Sequence, residues 1–196
     1  MSSTPDNTLL RSRELWAQAF PEDKPEFLDL YFSRCYSPER SLTLTEETGD
    51  QIVAAGQLLP YAFNFGGRRL PAAYVSGLVV APEARGKGTG SQWMAEAHRR
   101  MHAEGQVLSF LIPDGDDLRK WYEQPARGAY DTVAHRFTIP LLDEGEPPRA
   151  GMPDITEEHE LSTELWRFYN TFGGRHPYEV RHDRDSLEVG IRSALI

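Results

Sequence analysis

SGLVVAPEARGKGTGSQWM, residues 76–94, is the stretch from which the fold can be read. Ala72 to Ala81 is apolar on both faces, as a central strand is, and Pro82 ends it. A short loop then carries Arg85 and Lys87 among Gly86, Gly88 and Gly90. Beyond it Met94, Ala97 and Met101 recur at helical spacing as far as Gly105, which predicts a helix over about 88–104. Glycines let backbone N–H groups approach a ligand with no Cβ in the way. The unsatisfied amides and the dipole of a helix start attract anions, and the two basic residues add charge. Such a site asks for a diphosphate, and the exposed edge of the preceding strand offers hydrogen bonds to an extended, amide-containing arm. A solvated glycine-rich surface turn would read the same way, so the segment alone leaves both open. A dinucleotide fingerprint fits less well, because Ser91 stands where G-x-G-x-x-G needs its third glycine, and the triphosphate loop G-x-x-x-x-G-K-[ST] is absent.

Working outward, Val107 to Ile112 has the length of a strand beside the central one. Asp116 or Asp117 is placed to cap a short helix bearing Trp121 and Tyr122, and Tyr130 to Ile139 alternates as a closing strand. Upstream, Gln51 to Phe65 and Arg68 to Val80 flank Gly66-Gly67, which predicts a hairpin, and Ser41 to Leu44 adds a strand before it. Two helices open the chain. The first, over 8–20, places Leu9, Leu10, Trp16 and Phe20 inward. The second has Asp23 as N-cap, Pro25 in its first turn and a core stripe of Phe27, Leu28, Tyr31, Phe32 and Cys35. The whole reads as an α/β (α+β) domain over 1–140 with a mixed, mostly antiparallel sheet. Residues 141–153, LLDEGEPPRAGMP, read as a linker, and 154–196 as a C-terminal appendage too short to bury its own core. In it a helix from Thr156 to Tyr169 is expected to turn Leu161, Leu165 and Phe168 inward.

The 196 residues carry 21 Lys and Arg against 30 Asp and Glu, a net charge of −9. That balance opposes nucleic acid as a partner and is compatible with a cationic one such as an amine. No run approaches the roughly 20 apolar residues of a membrane span, and the N-terminus lacks the order of a secretory signal, so a cytoplasmic, membrane-free location is expected. Cys35 is the sole cysteine, and its aromatic neighbours mark it as a small buried residue rather than a nucleophile.

Arg85-Gly86-Lys87-Gly88-Thr89-Gly90 fits the Q/R-x-x-G-x-G/A coenzyme A signature of the GNAT superfamily of N-acetyltransferases, and the order of elements agrees. LPYAFNFGGRRLPAAYVSGLVVAPEARGKG and LSFLIPDGDDLRKWY further resemble the N-terminal domain of the enhanced-intracellular-survival type of acetyltransferase. The resemblance covers about residues 8–140, with weaker similarity over 155–196 to the start of that family's second domain. It implies acetyl-CoA as cosubstrate, with Leu78, Val79 and Val80 holding the pantetheine arm through backbone groups and residues Gly86 to Ser91 the pyrophosphate. It also implies Tyr122 as the acid that protonates the departing thiolate, although EQPARGAY after it is longer than the usual spacing.

The expected chemistry is direct attack of a primary amine, on a small molecule or peptide, at the acetyl thioester. An alkylammonium must first lose a proton, and Asp114, Asp116 and His135 are the candidate bases. His98 and His102 share a helix face at metal-ligand spacing, but the glutamate of H-E-x-x-H is missing and Arg99 and Arg100 crowd them, so no metal is expected. The competing expectation is a catalytically reduced acyl-CoA-binding or assembly module, and the appendage raises the prospect of homo-oligomers. Acceptor pockets are built from scattered loops, so the sequence leaves the amine open.

Overall fold

The computed structural model describes residues 7–46, 49–131, 161–172 and 178–193. In chain order these form α1 (Asn7–Ala19), α2 (Pro25–Arg34), β1 (Ser41–Thr45), β2 (Ile52–Phe65) and β3 (Arg68–Val80). There follow α3 (Thr89–Ala103), β4 (Leu108–Phe110), α4 (Gly115–Tyr122), α5 (Thr163–Phe172), β5 (Tyr178–Arg181) and α6 (Arg184–Ser193). The sheet runs β1-β2-β3-β4, and β5 pairs with the far end of β2. All pairings are antiparallel except β3 with β4, so the mixed, mostly antiparallel α/β arrangement expected from the sequence is the one adopted.

Helix α3 covers one face of the sheet. Trp93, Met94, Ala97 and Met101 are buried, packing with Leu42, Ala54, Leu58, Ala73 and Val75. Each large side chain among them contributes about 1.5–3 kcal/mol by leaving water. The Trp93 indole donates to the Leu42 carbonyl at 2.9 Å. Helices α1 and α2 cover the opposite face, where Trp16, Leu28, Leu30, Tyr31, Phe32, Cys35 and Leu59 form a second cluster. Leu9 packs partly against it, whereas Leu10, expected inward, is exposed.

β3 carries the decisive irregularity. Its register with β2 steps from Ser76↔Gln57 to Val79↔Ala55, three residues against two, so one residue of β3 is extra. The bulge falls at Gly77, whose φ of +59° belongs to the left-handed region glycine enters freely. On the other side β4 pairs with β3 only at Ala72–Tyr74, and among the described residues Val75 to Val80 have no strand partner there. The sheet splits between β3 and β4, and the split is where the site lies.

Several local expectations fail for local reasons. Asp23 does not cap α2: the N-cap position is Lys24, no side-chain cap bond forms, and Pro25 supplies the first-turn φ instead. Asp116 and Asp117 lie inside the first turn of α4, whose N-cap position is Asp114. Leu161 and Ser162 are not helical, so the helix expected from Thr156 begins at Thr163, where the Ser162 hydroxyl accepts the Leu165 amide at 3.0 Å. Leu161 is buried as expected, but Phe168 is 58% exposed. The polar stretch after it forms β5 and α6, which the sequence reading left without structure. The strand expected to Ile139, the linker 141–153, Thr156 and His135 lie outside the described residues.

Candidate active site

A cleft of about 540 Å³ opens where β3 and β4 part, walled by Leu78, Val79 and Val80 on one side and by Asp114, Leu118, Trp121 and Tyr122 of the α4 region on the other. Its end is the start of α3. Arg85, Gly86, Gly88, Thr89, Gly90 and Ser91 all line it, while Lys87 is exposed and does not. Ten of the eleven residues singled out in the sequence therefore meet in one cleft.

The Ala81 amide donates to the Val53 carbonyl of β2 at 2.8 Å. Alternation along a strand then turns the amides of Val79 toward β2 and those of Val80 and Leu78 toward the cleft. The Val80 carbonyl is met there by Arg85 Nε at 2.9 Å. At the helix start the first amide taken is that of Gln92, by the Gly88 carbonyl at 3.0 Å. Amides of the preceding turn have no intrahelical acceptor and face outward.

The three glycines differ in purpose. Gly86 and Gly88 sit at φ of +74° and +85° with open space around them, so they make the turn. Gly90 is helical, and a Cβ there would come within 3.1 Å of the Trp121 indole. It therefore also permits the close approach of Trp121 of α4 to α3, beside the ligand access expected from the sequence. Arg127 was missed altogether. A turn at Pro125–Arg127 carries its guanidinium over the Trp121 ring at 4.7 Å, and its Nε donates to Ser91 Oγ at 3.1 Å. The irregular loop after Tyr122 thus returns a cation to the anion-attracting helix start, a contact that no local spacing signals.

Tyr122 is buried between Trp121 and Tyr130, with ring centroids at 4.8 and 6.0 Å. Desolvation, then the neighbouring phenols, push its pKa up to about 12. The hydroxyl therefore stays protonated across the physiological range. Asp114 faces the same cleft; Asp116 is on the surface beside Arg119. His98 hydrogen-bonds the Tyr130 hydroxyl at 3.1 Å, which in turn meets Ser109 Oγ at 2.6 Å, and His102 is exposed. Among the described residues no group of three His, Cys, Asp or Glu is arranged to hold a metal. Cys35 is buried, and desolvation raises its thiol to about 12, so it is no nucleophile.

A second cavity of about 320 Å³ lies on the α1/α2 face, against Tyr74, Ser76 and Gly77 of β3. Phe20 lines both cavities, and they follow one another along β3, the second ending at Gly77 where the first begins at Leu78. Its aromatic wall is continuous with the core expected from the sequence: Trp16 and Tyr31 are buried, and Phe20, Phe27, Tyr61 and Tyr74 pack against them.

The family model of the acetyltransferase (GNAT) domain matches residues 3–123. The chain belongs to the GNAT acetyltransferases. Solved structures similar to this GNAT domain include a GCN5-related N-acetyltransferase from Kribbella flavida, 27% identical with a TM-score of 0.51 over 61% of this chain and 32% of that one. Another, from Anabaena variabilis, is 18% identical with a TM-score of 0.52 over 61% and 30%. AAC(6')-Iy in complex with the bisubstrate analogue CoA-S-monomethyl-acetylneamine is 15% identical, with a TM-score of 0.55 over 68% of this chain and 92% of that one. The chain thus spans about a third of the Kribbella and Anabaena proteins. No curated protein matches it. Among the described residues no helix of this GNAT domain is long and apolar enough to cross a membrane.

Proposed function

We propose that this GNAT domain transfers an acetyl group from acetyl-CoA to a primary amine in the cytoplasm, as an N-acetyltransferase of the enhanced-intracellular-survival type. One observation carries the reading: two cavities, one ending in an anion-attracting helix start and the other lined by aromatic rings, meet at the β3 bulge. The pyrophosphate lies on the amides of residues 86–91, flanked by Arg85 and Arg127. Pantetheine runs beside Leu78 to Val80, with its amides bonding the strand edge left open by β4. This delivers the thioester to the bulge, where the amine arrives from the aromatic side. The bisubstrate complex of AAC(6')-Iy gives the same fold a CoA-linked ligand.

The neutral amine attacks the acetyl carbonyl, the C–S bond breaks with its electron pair going to sulfur, and the Tyr122 hydroxyl supplies the proton to the thiolate. The proton lost by nitrogen restores the phenol through water. A neutral amine is favoured because taking the nitrogen out of water into the cavity disfavours the ammonium form.

Calorimetric titration with acetyl-CoA tests the donor half. The parent is expected to bind in the micromolar range, and a variant carrying Arg85→Ala and Gly88→Asp is expected to lose binding, since Gly88 sits at φ +85° and an aspartate there opposes an anion. A parent that fails to bind acetyl-CoA overturns the proposal. Binding without turnover on any amine would leave an acyl-CoA-binding module.

A further inference from the structure

The cavity on the α1/α2 face narrows the acceptor, an inference that rests on the acetyl transfer proposed above. At about 320 Å³ it lies at the small end of ligand pockets, which run from roughly 300 to 1,000 Å³. Among the described residues Asp23 is the sole ionic side chain lining it. Burial raises the phenols of Tyr31 and Tyr74 and pushes Tyr61 to about 12, so the tyrosine walls are neutral donors at physiological pH. Among the described residues Asp23 pairs with no cation. Its Oδ2 accepts the Trp16 indole N–H at 2.6 Å, and a carboxylate has room for further donors.

Trp16 fixes where that carboxylate stands. The benzo edge of its indole lies on Gly77, and a Cβ there would be 2.0 Å from Cζ3. The pyrrole nitrogen that holds Asp23 is on the opposite side of the same ring. Asp23 is therefore separated from the bulge by the width of an indole. It does not hold the attacking nitrogen as an ammonium, which would oppose its deprotonation. It faces the other end of whatever fills the cavity.

We infer that the acceptor is a small primary amine on a flat aromatic or apolar body, with a second hydrogen-bond donor, hydroxyl or ammonium, at the end remote from the reacting nitrogen and read by Asp23. The amine then sits at Gly77, the body lies among Phe20, Phe27 and Tyr74, and the donor reaches the carboxylate. Polycations such as aminoglycosides and polyamines are disfavoured, because among the described lining residues Asp23 is the single carboxylate and each further ammonium would be desolvated without a counter-charge.

The test compares tyramine, 2-phenylethylamine and spermidine as acceptors by CoA thiol release, in the parent and in Asp23→Asn, whose amide oxygen still accepts from Trp16. A donor on a carboxylate predicts a KM for tyramine roughly ten- to a hundredfold below that for 2-phenylethylamine in the parent. In Asp23→Asn that gap closes while acetyl-CoA affinity is unchanged. Asp23→Ser serves if the asparagine variant does not fold, and calorimetric titration with tyramine alone reads the pocket without turnover. Equal KM values in the parent, a loss shared equally by both arylalkylamines in the variant, or preference for spermidine overturns the inference. Failure to bind acetyl-CoA sinks the transfer reading instead, and tyramine binding that Asp23→Asn abolishes still supports the pocket assignment.

Discussion

Replacing Gly77 by alanine tests the geometry on which the site depends. At φ +59° any residue with a Cβ incurs the left-handed cost of about 1–2 kcal/mol. The added carbon would stand 2.0, 2.5 and 2.7 Å from three indole carbons of Trp16, against a contact distance of about 3.5–4.0 Å. The indole has to retreat, yet it is buried, with Tyr31 at 4.6 Å, Phe32 at 5.7 Å and its N–H fixed to Asp23. Overpacking of this kind costs about 1–3 kcal/mol more. The sum, about 2–5 kcal/mol, is a large part of the ~5–15 kcal/mol by which domains are stable. In a chain of this size it corresponds to a fall in Tm of roughly 4–20 °C. Gly66→Ala is the control: its φ of +53° carries the same backbone cost, but nothing lies within 4 Å of its Cβ. Urea unfolding of both variants separates the two terms. If their losses of stability agree within about 0.5 kcal/mol, the ordinary scatter between independent substitutions, the packing of Trp16 on the bulge is refuted.

Tyr122→Phe removes the phenolic proton and keeps the ring in its cluster, so kcat is expected to fall about 10²–10⁴-fold with acetyl-CoA affinity unchanged; an unaltered kcat would remove the acid role. Arg127→Ala is expected to raise the Kd for CoA about tenfold at low salt, with less effect as salt rises, and a calorimetric change under twofold would show that its guanidinium does not face the pyrophosphate. His182 hydrogen-bonds the Tyr61 hydroxyl at 3.1 Å, and burial lowers its pKa, as it does that of His98. The unfolded chain therefore binds more protons than the folded one as pH falls below about 6.5, so stability present above that value declines toward acid, by at most about 1.4 kcal/mol per pH unit for each histidine. Thermal unfolding between pH 7.5 and 5.5 is expected to show this, with a shallower decline in His182→Gln; parallel slopes would reject the assignment.

What the sequence disclosed were the features encoded by near neighbours. The strand-length segments on either side of the Gly66-Gly67 turn and the spacing of Met94, Ala97 and Met101 each imply their element without reference to the rest of the chain. The glycine-rich helix start was legible for the same reason. Asp23 was misread because an acid before Pro25 looks like a cap, while its partner is an indole seven residues earlier that only the tertiary fold brings round. The stripe of α2 was legible as core, and Leu28, Tyr31, Phe32 and Cys35 are buried; that Phe27 and Tyr31 also wall a cavity was not, because inward-facing rings read identically whether they meet other rings or a cavity. Arg127 reaches Ser91 across 36 residues, and β5 with α6 is held by pairing to β2 and by the Arg34–Glu188 ion pair, neither of which leaves a periodic trace.

The split in the sheet carries a cost that explains its use. Among the described residues, backbone groups from Val75 to Val80 that would have bonded a longer β4 have no strand partner on that side, and each unmade bond there forfeits about 1–3 kcal/mol if water is excluded. Arg85 covers the Val80 carbonyl, which removes part of that cost. A ligand with amides spaced along an extended arm would satisfy the remainder, as a short strand added to the sheet. Binding should therefore be felt in stability: at a hundred times its Kd, acetyl-CoA is expected to add about 2.7 kcal/mol. Arg85→Ala separates two effects of one side chain, because it frees the Val80 carbonyl and removes a cation from the pyrophosphate. The variant is expected to be less stable than the parent without ligand, and to bind pantetheine, which lacks the pyrophosphate, at least as well as the parent does. A variant that binds CoA and pantetheine equally poorly would mean that the open edge of β3 is not where the arm lies.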